Sequence, residues 1–370
     1  MPFISDRLQN TNNNKAILNK EESILSTNTN SSVSNYKSRF TFDVNEIQQK
    51  LQKEIIGQTE VIEQITSMLH VVRADITEKN KPLYVALFLG PTGVGKTETV
   101  RILAESIYKD KESFSRVDMN TLAQEHYAAA ITGAPPGYIG SKDGSTLFDE
   151  EKLNGSFSKP GMVLFDEIEK ADSSVIQSLL NVLDNGKMIL ANGEKTINFR
   201  NTMIFMTSNI AAKKIIRWTD DSWTAKCRRL FQYLLPRNIG KSSKEILKRT
   251  IYDELEKHFA PEFINRIDDV LIFNWLENET FESILNKMIL DLNKRIKNHK
   301  CKVVLDEQAK QYILDKGFNR QYGARAMKRQ LRNLLEVSLA KYLTELTYDE
   351  KEFEILVSAN KNELTFSKKE

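Results

Sequence analysis

The sequence predicts an α/β protein with a parallel sheet in its larger domain and a smaller α+β domain at its C-terminal end. Short apolar runs at Leu83–Leu89, Met162–Phe165 and Met203–Met206 are typical of strands that are buried on both faces. Stretches with helical periodicity, such as Ser174–Leu183, separate these runs. Strands that alternate with helices along a chain favour a parallel sheet covered by helices.

Composition and charge narrow the class of protein. The chain has 370 residues, 40% of them hydrophobic, which is enough apolar surface for a large core. Its net charge of +3 gives no overall basic footprint for nucleic acid. Two cysteines, Cys227 and Cys301, cannot form a disulfide framework or a cysteine-based zinc site, and the four histidines lack ligand spacing.

Neither a membrane span nor a secretory signal peptide is predicted. No run approaches the roughly 18 apolar residues of a membrane span, and Met1–Asn14 lacks the apolar centre of a signal peptide. We therefore expect a soluble cytoplasmic protein without a membrane span.

The first part of the chain is predicted to be disordered. The first 40 residues contain eight Asn and seven Ser, so residues 1–42 have little apolar surface to offset their ordering entropy. A large domain is expected over residues 43–275. It begins with two helices, in which the apolar residues recur at helical spacing: Val44, Ile47, Leu51 and Ile55, then Val61, Ile62, Ile65 and Leu69.

The pattern changes after about Phe273, and a small domain is expected over residues 276–370. Phe281–His299 reads as an amphipathic helix. Further helices are predicted at Glu307–Lys316 and Ala324–Leu346, and strands at Lys302–Leu305, Phe353–Val357 and Leu364–Phe366.

A glycine-rich segment directly follows the first apolar run and fits the phosphate-binding pattern G-x-x-x-x-G-K-T. The glycines allow backbone N–H groups to surround a phosphate at the start of the next helix. Lys96 would neutralise phosphate charge, and the hydroxyl of Thr97 would ligate Mg²⁺. The residues of this segment are Gly90, Pro91, Thr92, Gly93, Val94, Gly95, Lys96 and Thr97.

Two further apolar runs end in polar residues suited to nucleotide hydrolysis. Asp166 can hold a Mg²⁺-bound water, and Glu167 can polarise the attacking water. Asn209 follows the third run, where a neutral amide can orient water without adding charge. Together with the phosphate loop, these residues indicate an ATPase that uses ATP and Mg²⁺.

These motifs, and others in the same order along the chain, resemble the Clp family of AAA+ ATPases, most closely the second ATPase ring of ClpB-type disaggregases. The resemblance covers about Glu54 to Val357 and implies an AAA+ P-loop fold with a C-terminal lid domain. It identifies Gly90–Thr97 as Walker A, Val163–Glu167 as Walker B and Asn209 as sensor 1. It also assigns Ile55 and Ile56, which precede Gly57 and Gln58, to the segment beside the adenine.

The same resemblance implies three features of a ring-forming motor. Arg266, in the segment from Pro261 to Asp268, resembles the arginine finger that acts in a neighbouring subunit, and Arg325 resembles the sensor 2 arginine. The family's substrate-gripping pore loop corresponds to Gly137, Tyr138, Ile139 and Gly140. A finger that acts between subunits predicts a closed ring, by resemblance a homo-hexamer, here with a single ATPase ring.

An insertion at about residues 211–250 departs from the family pattern. It contains eleven Lys or Arg residues against three acidic ones, a net charge of +8, with Trp218, Trp223, Phe231 and Tyr233 interleaved. Such a segment can bind an anionic partner or can be a set of solvated helices with buried aromatic side chains. Ile239-Gly240-Lys241 resembles a peptidase-docking tripeptide, but Lys241 replaces its final hydrophobic residue, which disfavours docking on a peptidase.

The sequence therefore supports two functions. The first is an ATP-dependent unfoldase or disaggregase, a chaperone that threads unfolded or aggregated polypeptide through a ring pore. The alternative is an AAA+ module that docks on and remodels one specific protein assembly, for example a secretion apparatus or a peptidase. Nucleic-acid remodelling is disfavoured, because it rests on the basic insertion alone.

Overall fold

Five parallel strands form the central sheet of the protein. The computed structural model describes residues 38–123, 147–189, 196–219, 242–274, 278–317, 323–345, 352–360 and 363–369. The sheet order is β2-β3-β6-β1-β7. Its strands are β1 (Tyr84–Leu89), β2 (Ser115–Asp118), β3 (Gly161–Asp166), β6 (Thr202–Ser208) and β7 (Asp269–Ile272). Two short antiparallel strands, β4 (Lys187–Ile189) and β5 (Thr196–Asn198), form a separate ribbon.

Helices cover both faces of this sheet. The two helices predicted near the start are present as α1 and α2, and the predicted Ser174–Leu183 stretch lies within α5. The described helices of this part are α1 (Val44–Glu54), α2 (Thr59–Arg73), α3 (Lys96–Tyr108), α4 (Glu150–Asn154), α5 (Ser173–Asn185), α6 (Ala212–Thr219), α7 (Ser243–Leu255) and α8 (Pro261–Ile264).

The central strands are buried on both sides, as their continuous apolar sequence predicts. Alternate residues of β1 point to opposite faces: Ala86 and Phe88 join one apolar cluster, and Leu87 and Leu89 join another. The first cluster includes α1, α2 and α3, and the second includes α5 and α7. The sheet is therefore sandwiched between two helical layers.

A smaller α+β domain follows, as expected from the sequence. Its sheet has the order β10-β9-β8, with β8 (Cys301–Leu305) parallel to β9 (Phe353–Asn360) and β10 (Glu363–Lys369) antiparallel to it. The predicted boundary at residues 275 and 276 lies outside the described residues. The helices are α9 (Asn278–Ile296), α10 (Glu307–Gly317), α11 (Gly323–Leu331) and α12 (Val337–Glu345), with a π-helical turn at Arg332–Glu336 joining the last two.

The structure departs from the sequence prediction at the start of the ordered chain. The sequence predicts disorder over residues 1–42, but Phe40 is fully buried and Phe42 is almost so. Arg39 ties this segment to the domain through Asp75 at 3.0 Å and the side-chain oxygen of Asn201 at 2.9 Å. The packing of these two aromatic rings shows that residues 39–42 belong to the folded domain, while residues 1–37 lie outside the described part.

The strands β2 and β7 and the β4–β5 ribbon are not among the elements that the sequence predicts. These strands have only three or four residues each, and several of their side chains are exposed, so they lack a continuous apolar run. Across the part of the chain that the structure describes, no helix is both long and apolar enough to span a membrane.

Candidate nucleotide site

The glycine-rich segment forms the turn between β1 and α3, at the carboxyl edge of the sheet. Gly90, Gly93 and Gly95 all have positive φ, and Gly95 is the residue before the first turn of α3. A side chain at Gly90 would lie 2.7 Å from the carbonyl oxygen of Phe273, so no other residue fits there without displacement. The backbone thus curls around the start of a helix, the geometry that binds phosphate.

Lys96, the first residue of α3, is buried and points back into this turn. Its ammonium group donates to the carbonyl oxygens of Gly90 (2.5 Å) and Pro91 (2.9 Å) and to Oδ1 of Asn209 (2.8 Å). Burial lowers the pKa of Lys96 to about 8, against the opposing effect of nearby carboxylates. All three of its donors are engaged, which holds the charge at the mouth of the loop.

Asp166 and Glu167 lie at the end of β3, one strand removed from β1. Thr207 links them, because its hydroxyl donates to Oδ1 of Asp166 (2.5 Å) and accepts from the backbone N–H of Glu167 (3.0 Å). Glu167 has a left-handed backbone with a φ of 58°, which is uncommon for a residue with a side chain and is often found at functional sites.

Two side chains that are not predicted from the sequence bind carboxylate oxygens of Asp166 and Glu167. Arg116 on β2 pairs with Oδ2 of Asp166 at 2.6 Å, and Asn120 donates to Oε2 of Glu167 at 2.7 Å. Both come from the edge strand β2 and the turn after it. No motif in the sequence singles them out, and only the pairing of β2 with β3 brings them to the site.

Asn209 follows β6, the strand between β3 and β1, and so lies between the carboxylates and the phosphate loop. Besides accepting from Lys96, it donates its backbone N–H to Oε1 of Glu169 at 3.0 Å. The structure therefore brings together Lys96, Asp166, Glu167 and Asn209, because they end three adjacent parallel strands or begin the helix after one.

Ile55 and Ile56 lie on the α1 side of the phosphate loop. Ile55 is buried, and its side chain lies 3.5 Å from where a Cβ on Gly95 would be; Ile56 packs against the same core. Gln58 is buried next to them and exchanges two 2.9 Å hydrogen bonds with the backbone of Asn274, after β7. The segment predicted to lie beside the adenine is thus fixed between the loop and the sheet.

The small domain reaches the same loop through the start of α11. The backbone N–H of Ala324 donates to the carbonyl oxygen of Gly93 at 3.1 Å. Arg325, the next residue, is exposed and acts on Lys96 by charge repulsion, lowering the pKa of Lys96 beyond the larger effect of burial. The predicted sensor 2 arginine is therefore close to the phosphate loop of its own chain.

Arg266 lies away from the phosphate loop, near the amino end of β1. It precedes β7, and Asp268 is tied to Val85 at the amino end of β1, with Asp268 accepting from the Val85 N–H at 2.8 Å. Val85 and Gly90 are five strand residues apart, about 16 Å, which is farther than an arginine side chain extends. Arg266 pairs at 2.7 Å with Asp184 at the end of α5 and is 43% exposed, so it can face another molecule.

Some predicted residues lie outside the described part of the chain. These are the pore-loop residues Gly137, Tyr138, Ile139 and Gly140, together with Ile239-Gly240-Lys241 and most of the basic insertion. Of the insertion's described residues, Trp218 is buried, Lys214 pairs with Glu254 at 2.6 Å and Lys244 pairs with Glu60 at 3.0 Å.

The donor set near the loop suits a magnesium ion that is shared with a nucleotide. Thr97 offers a hydroxyl oxygen and Asp166 a carboxylate, and Mg²⁺ is commonly bound by one or two such groups plus phosphate oxygens. In the described ranges, no group of three or more His, Cys, Asp or Glu side chains could hold a metal ion without outside ligands. These residues fit Mg²⁺ with nucleotide rather than a metal held by protein alone.

A parallel sheet with a phosphate loop, paired carboxylates and a polar residue on neighbouring strands defines a P-loop ATPase. Family models agree over most of the chain. Residues 81–270 match the AAA domain (Cdc48 subfamily), and residues 276–355 match the C-terminal, D2-small domain, of ClpB protein.

Curated relatives extend the match. The chain is 45% identical over 350 residues to an ATP-dependent protease ATP-binding subunit-like protein AmiB of Pseudomonas aeruginosa, covering 93% of this chain and 92% of that protein. It is 38% identical to an ATP-dependent protease ATP-binding subunit-like protein of Rhodococcus erythropolis, covering 80% and 81%. It is 34% identical to the ATP-dependent Clp protease ATP-binding subunit ClpC of Staphylococcus aureus, covering 80% of this chain but 34% of that protein.

The chain belongs to the Clp family of AAA+ ATPases. It binds nucleotide and hydrolyses ATP. The resemblance inferred from the motifs and the α/β fold with its small C-terminal domain are confirmed.

Proposed function

We propose that this ATPase is an ATP-driven protein-remodelling motor, an unfoldase or disaggregase that threads polypeptide through the pore of a ring. The observation that carries the proposal is the division of the site between two edges of the sheet. Lys96, Asp166, Glu167 and Asn209 meet at the carboxyl edge, whereas Arg266 lies exposed near the amino edge. Arg266 cannot reach the carboxylates of its own chain, whereas it can be supplied to those of a neighbouring chain.

Within one chain, each residue has a distinct role in the proposed reaction. The loop N–H groups and Lys96 bind the phosphates of ATP. Thr97 and Asp166 would hold Mg²⁺, which supplies positive charge that stabilises the transition state. Glu167 accepts a proton from the attacking water, and Asn209 orients that water.

Two arginines would supply further positive charge to the phosphates of ATP. Arg325 approaches the phosphates from the small domain of the same chain, and Arg266 from the neighbouring chain. In other NTPases an arginine supplied in this way contributes roughly 10³- to 10⁵-fold to the rate. Since each subunit both donates and receives a finger, the contact is head-to-tail and closes into a ring, as in the hexamers typical of Clp ATPases.

The polypeptide substrate would contact the loop around Tyr138. An aromatic ring between flexible glycines makes sequence-tolerant contacts with an extended chain, and a ring of subunits would present several such tyrosines to one pore. Relatives named as ATP-binding subunits of an ATP-dependent protease support a polypeptide substrate.

The test compares ATP turnover with and without unfolded casein for the wild type, Tyr138→Ala and Phe157→Ala. Phe157 is a half-exposed aromatic residue in a loop and serves as the matched control. The proposal predicts that casein stimulates the wild type and Phe157→Ala, and that Tyr138→Ala keeps its basal rate but loses the stimulation. Equal stimulation of all three proteins would refute threading through Tyr138.

The alternative function is docking on one specific protein assembly. The net charge of +8 in residues 211–250 favours an acidic protein partner. The described ends of this insertion are partly neutralised, by Lys214 with Glu254 and by Lys244 with Glu60. ATP turnover that no form of casein changes, together with capture of an acidic partner by the 211–250 segment, would support this alternative.

A further inference from the structure

A third carboxylate, Glu169, lies beside the two that the ATPase motif contains. It belongs to the 3₁₀ turn Ile168–Lys170, which begins directly after Glu167. This turn carries Glu169 back toward the ends of β6 and β1. The family motif ends at Glu167, and the mechanism proposed above gives Glu169 no role.

Glu169 holds the backbone of Asn209. Its Oε1 accepts the Asn209 N–H at 3.0 Å, at the point where β6 has ended and no strand neighbour is available. The side chain of Asn209 has other partners: its Oδ1 accepts from Lys96 at 2.8 Å, and its Nδ2 donates to Oε1 of Glu167 at 3.5 Å. The backbone and the side chain of this one residue are therefore fixed independently.

The second carboxylate oxygen of Glu169, Oε2, gains no hydrogen bond from the described residues, so stabilisation of the fold does not explain why a carboxylate is placed here. Oε2 is buried, and it has no hydrogen-bond partner among the residues that the structure describes. A buried carboxylate oxygen without a donor is unfavourable for stability. Attraction between the charges of Glu169 and Lys96 offsets this cost. Burial lowers the pKa of Lys96, and three nearby carboxylates oppose that decrease, with Glu169 having the largest effect of the three.

Lys96 must change partners when phosphates enter the loop. Its three donors are already used by Gly90, Pro91 and Asn209. The first two acceptors are backbone carbonyls in the loop, whereas the acceptor on Asn209 is on a side chain that can rotate. The bond between Lys96 and Asn209 is therefore the one most readily exchanged for a bond to phosphate. Asn209 then keeps its backbone anchor at 3.0 Å and a longer side-chain bond of 3.5 Å to Oε1 of Glu167.

We propose that Glu169 is a positioning residue for ATP hydrolysis, which holds the backbone of Asn209 so that its amide keeps its position when Lys96 turns to the phosphates. The inference rests on the role proposed above for Asn209. Misplacing a reacting or orienting group by about 1 Å can reduce a rate by roughly 100-fold. Loss of the anchor should therefore lower kcat and leave nucleotide binding nearly unchanged, since the phosphate loop itself is intact.

The experiment compares two neutral replacements of similar size. Glu169→Gln keeps a carbonyl oxygen that can accept from Asn209, and Glu169→Met does not. We expect Glu169→Met to lower kcat by about 10- to 100-fold with KM for ATP within about 3-fold, and Glu169→Gln to stay within about 3-fold of the wild type. Binding of a fluorescent ADP should be equal in all variants, and Glu256→Gln, at an exposed carboxylate directly after α7, should change nothing.

Asn209→Ala supplies the second half of the test. If Glu169 acts through Asn209, adding Glu169→Met to Asn209→Ala should lower kcat by less than about 2-fold more. Equal losses for Glu169→Gln and Glu169→Met, multiplicative losses in the double variant, or a raised KM at unchanged kcat would each overturn the inference. A wild-type rate for Asn209→Ala alone would instead refute the role of Asn209 from which the inference starts. If Glu169→Met fails to fold, Glu169→Asp, which withdraws the acceptor by one methylene, should show the same loss in kcat.

Discussion

Replacing Gly323 with alanine should detach the small domain from the phosphate loop. Gly323 begins α11 with a left-handed φ of 52°. A Cβ added there would lie 3.0 Å from the carbonyl oxygen of Gly93 and 3.1 Å from that of Thr92. Both atoms belong to the loop backbone, which cannot rotate away as a flexible side chain could.

The size of the effect follows from two contributions. A residue with a side chain in the left-handed region costs about 1–2 kcal/mol. Moving α11 away also weakens the hydrogen bond from Ala324 to Gly93, worth about 0.5–1.5 kcal/mol. Together they disfavour the packed arrangement by about 1.5–3.5 kcal/mol, roughly 10- to 300-fold in the equilibrium between packed and displaced α11.

The assay is the affinity for a fluorescent ATP analogue together with ATP turnover. Because Arg325 is two residues beyond Gly323, we expect Gly323→Ala to weaken binding and turnover by at least about 10-fold. The matched control is Gly317→Ala at the end of α10, where the added carbon would meet Met327 at an ordinary 3.7 Å. Wild-type binding and turnover in Gly323→Ala would refute the inferred contact between α11 and the loop.

Three further predictions concern single side chains. Glu167→Gln should bind ATP within a few-fold of the wild type but lower kcat by about 10²-fold or more, and near-normal turnover would contradict its role as the base. Gln58→Ala should lower the free energy of unfolding by about 2–4 kcal/mol in urea titrations, because both hydrogen bonds to the Asn274 backbone are lost at a buried site. A change below about 1 kcal/mol would contradict this. Lys287→Ala should lower the free energy of unfolding by about 1–2 kcal/mol, because it loses two 2.7 Å contacts with Glu54. Lys294→Ala, at an exposed position, should show no measurable change, and equal effects of the two substitutions would refute the link between α9 and α1.

Much of the fold could be predicted from hydrophobic patterning. The runs in β1, β3 and β6 are continuous because these strands are covered on both faces, and the helices around them show clear helical spacing. β2 and β7 were missed because they are short edge strands with exposed positions. Their formation depends on pairing with β3 and β1, and no local pattern encodes that pairing.

The site was predictable where a motif encodes a local turn. Lys96, Asp166, Glu167 and Asn209 each follow a strand or begin a helix, so their convergence follows from the parallel sheet. Thr207, Asn120, Arg116 and Glu169 were not singled out, because they act through contacts between residues about 40 to 50 positions apart in the sequence. A threonine at the end of a buried strand was the one available signal, and by itself such a residue is ordinary.

The central claim is that Arg266 completes the catalytic site of the neighbouring subunit. If the finger acts in the neighbouring subunit, two inactive variants should repair each other. Arg266→Ala has a complete loop but donates no finger, and Glu167→Gln donates a finger but cannot hydrolyse ATP. The Arg266 side chain is 43% exposed, so its loss should leave the chain folded.

The measurement is the ATP turnover of mixtures of these two variants across mixing ratios, with each variant alone as the baseline. A chain carrying both substitutions, mixed with Arg266→Ala, is the control and should give no recovery. The account predicts that mixtures of the single variants hydrolyse ATP several-fold faster than either variant alone. A rate that never exceeds the sum of the two separate proteins would contradict a catalytic site shared between neighbouring subunits.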